Sequence, residues 1–273
     1  MGIETKKKKS MNVDELRAYR VAYGGKLGAK DFTHYVVLPG VLFGVFSFLL
    51  LYNGWVSAIC VVIGMIYGVS SLLPKSVRKQ YEQNAFSQRN KFLNNITQVL
   101  TDDKQTVLMA IGKVTARADG QFKDDLNHFH AMLIGADSER IREAVIWFSG
   151  EYDDDVIFMQ YLEQLETTMI EGKTNIDTLK DIKTYHNDIR KKQEHYERVK
   201  GAHLKDMKQL IIVTIILIVA LAVSFGFETY LRAFARHPSG YIASGLYLLI
   251  LAVFFKQFVG YLFDDSVMEI RKK

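Results

Sequence analysis

The chain has 273 residues, 49% hydrophobic and 24% charged, which is too charged for a bundle buried wholly in lipid and too apolar for a disordered chain. Its mean hydropathy of +0.02 averages four strongly apolar stretches with a polar middle long enough to bury a core of its own. The net charge of +5 is concentrated in Lys6 to Lys9, Arg17, Arg20, Lys26 and Lys30, just ahead of the first apolar stretch, a position that suits anionic headgroups and argues against nucleic acid as a partner.

Residues 1–34 read as a basic N-terminal segment on the cytoplasmic side. Tyr35 to Tyr52 and Val56 to Leu73 are each apolar and uncharged over roughly 18 residues, enough to cross about 30 Å of hydrocarbon as helix. Only Asn53, Gly54 and Trp55 separate them, so residues 35–74 are expected to form a transmembrane helical hairpin that ends at Pro74. The sole cysteine, Cys60, lies inside this hairpin, which excludes an intramolecular disulfide and a multi-cysteine metal site. Gly40, Gly44, Gly64 and Gly68 have the small-residue spacing of close helix packing, and Gly240 and Ser244 repeat it in the last span. No cleaved signal peptide is expected, because the first apolar stretch is span-length and starts far from the N-terminus.

From Lys75 to His237 there is no proline, and apolar residues recur at helical spacing, as in Leu126, Phe129 and Leu133 or Leu162, Leu165 and Met169. Residues 75–208 therefore read as an all-helical domain, with helices expected near 78–100, 103–118, 121–134, 138–149, 153–171 and 175–208. Asp102 with Gln105 resembles a capping box, Asp119-Gly120 reads as a stop, Gly135 ends a helix before Asp137 and Ser138, and Gly172 ends another before Thr174. With no break other than Gly201, the last of these helices is expected to run into the third span, Leu210 to Phe227. A fourth span, Tyr241 to Phe263, carries Lys256, whose long stem can snorkel to the interface. Residues 209–263 thus form a second transmembrane pair with a short outer loop at 228–240, and 264–273 form a tail.

Basic residues flank the same end of every span: Lys30, Lys75, Arg78 and Lys79, Lys205 and Lys208, and Arg271 to Lys273. This predicts a multi-pass protein of the cell membrane with both termini and the 75–208 domain in the cytoplasm, despite Arg232 and Arg236 in the outer loop. The fold class expected is all-α, with four transmembrane helices in two pairs around a cytoplasmic six-helix bundle.

Glu151, Asp153, Asp154, Asp155, Glu163, Glu166 and Glu171 occur with no Lys or Arg between Gly150 and Gly172. Asp153 to Asp155 can cap a helix N-terminus while the others form a solvated face; the alternative is an acidic docking surface for a basic partner. Enzyme chemistry finds little purchase. His128 and His130 are two apart, about 200° around a helix, and so cannot share a metal. His186, His195 and His203 lie on a charged helix and read as solvated. The chain has no GxxxxGK[ST], GxSxG or HExxH, so no catalytic, cofactor or metal site is expected. An ion-coupled transporter is poorly supported, because only the fourth span carries an ionisable group.

The layout resembles the type II secretion F-domain family, the inner-membrane platform proteins of Tad-type pili, type IV pili and type II secretion systems. The resemblance covers most of the chain, and its most specific part runs from Phe122 to Lys200. There a helix ends at Ile134-Gly135, Glu143-Ala144-Val145 matches a Glu-Ala-Leu-like step, an acidic helix ends at Glu171-Gly172, and Leu179 and Ile182 precede the basic Arg190 to Lys192. The family's double glycine is single at Gly172, and span three lacks the family's proline. The resemblance implies a non-enzymatic platform that engages a hexameric secretion ATPase and pilin-like subunits, beside a homologous second platform subunit or further copies of itself. Glu151, Asp153, Asp154, Asp155, Glu163 and Glu166 are then the candidates to face the ATPase, and Gly135 and Gly172 are structural helix stops. The competing expectations are a membrane-anchored scaffold or sensor that recruits a soluble partner and, behind it, a small channel or transporter.

Overall fold

A computed structural model describes residues 13–23, 25–102, 104–172 and 175–264; the Lys6 to Lys9 run, Asp103, Thr174 and the Arg271 to Lys273 tail lie outside them. Among the described residues the chain is all-helical. Its helices are α1 (Val13–Val21), α2 (Ala29–Leu51), α3 (Gly54–Val99), α4 (Val107–Thr115), α5 (Gly120–Leu133), α6 (Ser138–Gly150), α7 (Val156–Glu171), α8 (Ile176–Ser224), α9 (Phe227–Tyr230) and α10 (Pro238–Leu262). Four of them, α2, α3, α8 and α10, are long and apolar enough to cross a membrane. The shortest has 23 residues, about 35 Å at 1.5 Å per residue. The chain divides into two compact units, one containing Lys26–Arg78 and Val199–Asp264, the other Tyr19–Gly25 and Lys79–Arg198.

In the first unit, α2 and α3 meet through glycine. A Cβ on Gly64 would lie 2.7 Å from the Gly40 Cα, and one on Gly68 would lie 2.5 Å from the Tyr35 carbonyl oxygen, so any side chain there would force the helices apart. The connection is tight because Tyr52 takes a left-handed conformation (φ 45°) and the Asn53 side chain accepts from Trp55 N and Val56 N at 3.1 and 3.4 Å, capping α3.

Pro74 does not interrupt α3, which runs on to Val99. A π-helical turn at Gly68–Leu72, in which Leu73 N–H bonds the Gly68 carbonyl, precedes the proline and widens the helix where its ring would otherwise strike the preceding turn. The same device occurs at Thr33–Val37 ahead of Pro39, and the two π turns pack on each other. The third apolar helix stops at Ser224 rather than Phe227, because Gly226 turns the chain at φ +76°. The expected loop at 228–240 is largely helical: α9 is followed by a π turn at Leu231–Ala235. Tyr230 is buried there and donates its hydroxyl to the Leu50 carbonyl at 3.0 Å, while Ala235 is fully covered.

The second unit has its own core, running from Phe92, Leu93 and Ile96 on α3 through Ile111, Phe122, Phe129, Phe148, Phe158 and Leu162 to Leu179 on α8. Six helical segments contribute to it. Two starts differ from expectation. α4 begins at Val107 because Thr106 caps Met109 N at 3.2 Å, and Asp102 instead holds the preceding turn through Lys104 N at 3.1 Å. α7 begins at Val156, where Asp155 caps Phe158 N at 3.0 Å. Gly135 and Gly172 follow their helices with φ of +68° and +71°, as helix stops require. The segment Tyr19–Gly25 belongs to this unit as well. Gln121 N donates to the Ala22 carbonyl at 2.6 Å, and Tyr19 and Tyr23 pack against Tyr81, with ring centroids at 4.6 and 5.4 Å.

Candidate functional site

The most concentrated chemistry in the second unit is a buried polar relay linking α3, α7 and α8. Arg89 Nε donates to Asp155 Oδ2 at 2.8 Å, and the two side chains are 5% and 7% exposed. The guanidinium carbon also lies 5.2 Å over the Tyr152 ring and 5.9 Å from the Phe86 ring centre, where a cation gains from the ring quadrupole. His186 is fully buried, stacks on Phe86 at 4.5 Å, and places Nε2 3.1 Å from Asp155 Oδ2 and Nδ1 2.9 Å from Asn90 Nδ2. Asn90 Nδ2 donates to Asn187 Oδ1 at 2.8 Å, Asn187 and Asn94 exchange hydrogen bonds of 2.9 Å, and Arg190 Nη1 donates to Asn90 Oδ1 at 2.9 Å. Burial alone would raise the Asp155 carboxyl, but the hydrogen bond from His186, the Arg89 guanidinium and the Phe158 N–H outweigh it and hold the group at about 2.

Local sequence explains the arrangement. Asn90 and Asn94 are one turn apart on α3, and His186 and Arg190 are one turn apart on α8, so each helix presents two polar groups on one face. Asp155 is brought to them by its role as the N-cap of α7. His186 was expected in solvent; it is enclosed because its position on α8 falls on the inward stripe that also carries Leu179.

The acidic residues singled out in the sequence fall into three settings. Glu151, Asp153 and Asp154 are exposed on the turn between α6 and α7, and Glu163 is exposed on α7. Glu166 is half-buried, with Arg142 Nε at 3.7 Å. Asp155 is buried in the relay and is not part of the surface. The fold adds acids from elsewhere: Tyr152 donates its hydroxyl to Asp125 Oδ2 at 2.6 Å, tying α5, with exposed Asp124 beside it, to the Glu151 to Asp154 turn. Burial first, and then this hydrogen bond to a carboxylate, push the Tyr152 hydroxyl up. His128 packs its ring on Trp147 at 4.5 Å, and among the described residues no three His, Cys, Asp or Glu side chains are grouped to hold a metal ion.

A Bacillus anthracis protein called "Uncharacterized protein pXO2-23" is 48% identical over 268 residues, covering 98% of this chain and 97% of its own length. The chain belongs to that protein's family. No family model matches the chain, and no solved structure matches it.

The relay pairs Arg89 with Asp155 away from solvent, whereas Arg190, 40% exposed, also pairs with Glu194 at 3.0 Å. Its effect is to join three helices with a directional set of bonds. The acidic turn beside it leaves Glu151, Asp153 and Asp154 exposed.

Proposed function

We propose that the chain is a multi-pass protein of the cytoplasmic membrane and serves as the non-enzymatic platform of a pilus or type II secretion-like assembly machine. In this reading two pairs of spanning helices hold a six-helix cytoplasmic bundle over 75–208, with both termini inside. The observation that carries it is α8, a single 49-residue helix that contributes Leu179 and the relay groups His186 and Arg190 to the second unit and ends as an apolar span. Such a helix can carry a displacement of the domain into the membrane without an intervening joint. Glu151, Asp153, Asp154, Asp124 and Glu163 form the face for a basic surface of a hexameric secretion ATPase. Pilin-like subunits meet the exposed apolar faces of the spans, of which α8 is the least covered, with 11% of its apolar window buried. A homologous second platform subunit or a second copy completes the assembly.

The test is capture of the secretion ATPase encoded nearest to this chain by the full-length protein in detergent, comparing wild type with the double substitution Asp153→Lys, Asp154→Lys. Asp155 is left intact because its loss would disturb the fold. Capture by wild type and its loss in the double variant, with helicity unchanged, supports the platform reading. Absence of capture by either replaces it with a membrane-anchored scaffold for some other partner.

A further inference from the structure

Arg190 settles the protonation of the buried histidine. A guanidinium only donates, so the Asn90 atom 2.9 Å from Arg190 Nη1 is the amide oxygen. The amide nitrogen therefore faces His186 Nδ1 at 2.9 Å and Asn187 Oδ1 at 2.8 Å and donates to both. A nitrogen that receives a hydrogen bond carries no proton. His186 Nδ1 is thus a lone pair, the ring hydrogen sits on Nε2, and it is donated to Asp155 Oδ2 at 3.1 Å.

We infer that His186 is the neutral half of an acid-released latch, in which a proton on Nδ1 and the Arg190–Asn90 contact exclude one another. A second proton would set an N–H against the N–H of Asn90. Rotating the Asn90 amide to accept it would turn the NH2 group onto the Arg190 guanidinium and break both the bond donated to Asn187 and the one that Asn90 Oδ1 accepts from Asn94 Nδ2 at 3.3 Å, so no orientation of this amide satisfies both cations. The charges facing the ring come from every packed element. Arg89 on α3 and Arg190 on α8 disfavour a further cation, while Asp155 on α7 favours one but already binds Arg89 through the same Oδ2. Phe86 covers one ring face and offers no hydrogen-bonding group. Because His186 is fully buried, water cannot reach its ring, and the mismatch is relieved on the other side of the amide, where Arg190, 40% exposed and paired with Glu194 Oε1 at 3.0 Å, gives up Asn90. Protonation therefore frees Arg190 and Asn187 on α8 from Asn90 on α3. This inference concerns the helical unit alone and stands whether or not the chain is a secretion platform.

The experiment is hydrogen–deuterium exchange on the full-length protein in nanodiscs at pH 8 and pH 5, the range across which imidazoles titrate, with labelling times scaled to the intrinsic rate at each pH. In wild type, amides between residues 183 and 194 exchange about tenfold faster at pH 5, as expected for local opening after loss of a buried donor–acceptor match, while the Phe122 to Leu133 helix is unchanged. Asn90→Asp supplies a carboxylate that accepts from Arg190 and from a protonated Nδ1 together, and its exchange does not rise in acid. His186→Gln has no titrating ring, and its exchange is the same at both pH values. The inference is overturned by a wild type whose 183–194 exchange ignores pH, or by either variant responding to acid as wild type does.

Discussion

At Asp155 one carboxylate caps α7, pairs with Arg89 and receives the His186 ring N–H. Folding lowers this carboxyl from 3.8 to about 2. A lowered acid contributes stability that is present above the unfolded value and lost as pH falls through the folded one. Its contribution, about 2 kcal/mol, is therefore complete at neutral pH and disappears between about pH 4 and pH 2. Asp155→Asn should melt well below wild type at pH 7, and the gap should close progressively below pH 4; a gap that stays constant would assign the stability elsewhere. Replacing it by Ala also leaves Arg89 buried without its partner and should cost about 3–5 kcal/mol. A second pair is neutral: Tyr161, fully buried, lies 2.7 Å from the Thr97 hydroxyl, which itself donates to the Leu93 carbonyl. Thr97→Val strands the tyrosine hydroxyl and should cost about 1–3 kcal/mol, whereas adding Tyr161→Phe should recover most of that loss. Chemical denaturation of the four proteins closes the cycle.

Helices differ in how plainly the sequence announced them. The four apolar elements were legible because length and the absence of charge are enough to identify a span, and the continuity of α8 was legible because nothing between Ile176 and Ser224 breaks a helix except Gly201. The π turns before Pro39 and Pro74 were not, because a one-residue widening leaves no compositional mark and depends on the neighbouring helix. α9 was hidden by Arg232 and Arg236, whose charges read as a loop although Tyr230 and Ala235 are buried. The relay escaped for a related reason. Residues 180–192 hold seven Lys, Arg, Asp and Glu residues, Arg190 among them and His186 between them, and only the fold reveals which of these polar residues turn inward. Gly201 gives the element its own test. It lies inside α8, is exposed, and a Cβ there would meet nothing within 4 Å. Gly201→Ala should therefore raise stability by about 0.5–1 kcal/mol through helix propensity alone. The matching measurement is the melting temperature in detergent; no rise, or a fall, would mean that the helix bends at this position in solution.

For the whole molecule the basic residues beside the spans set the expected direction of insertion. Lys30 stands at the start of α2, and Lys75, Lys205 and Lys208 lie inside α3 and α8 where their apolar stretches give way to polar sequence, whereas Arg232 and Arg236 follow the other end of the α8 apolar stretch, beside α9. Short flanking segments rich in Lys and Arg are retained in the cytoplasm, and the larger group outweighs the pair, so residues near α9 should face outward. Cys60, buried among the spans, is the only cysteine, and Cys60→Ala gives a background free of thiols. In that background Ala233→Cys, at an exposed position on the π turn after α9, should react with a membrane-impermeant maleimide on intact cells. Asp153→Cys, exposed on the acidic turn, should react only after the membrane is opened. The reverse pattern would place the acidic face outside, out of reach of any cytoplasmic ATPase, and would remove the platform reading along with the orientation. Labelling of both positions on intact cells would mean that α2, α3, α8 and α10 do not all cross.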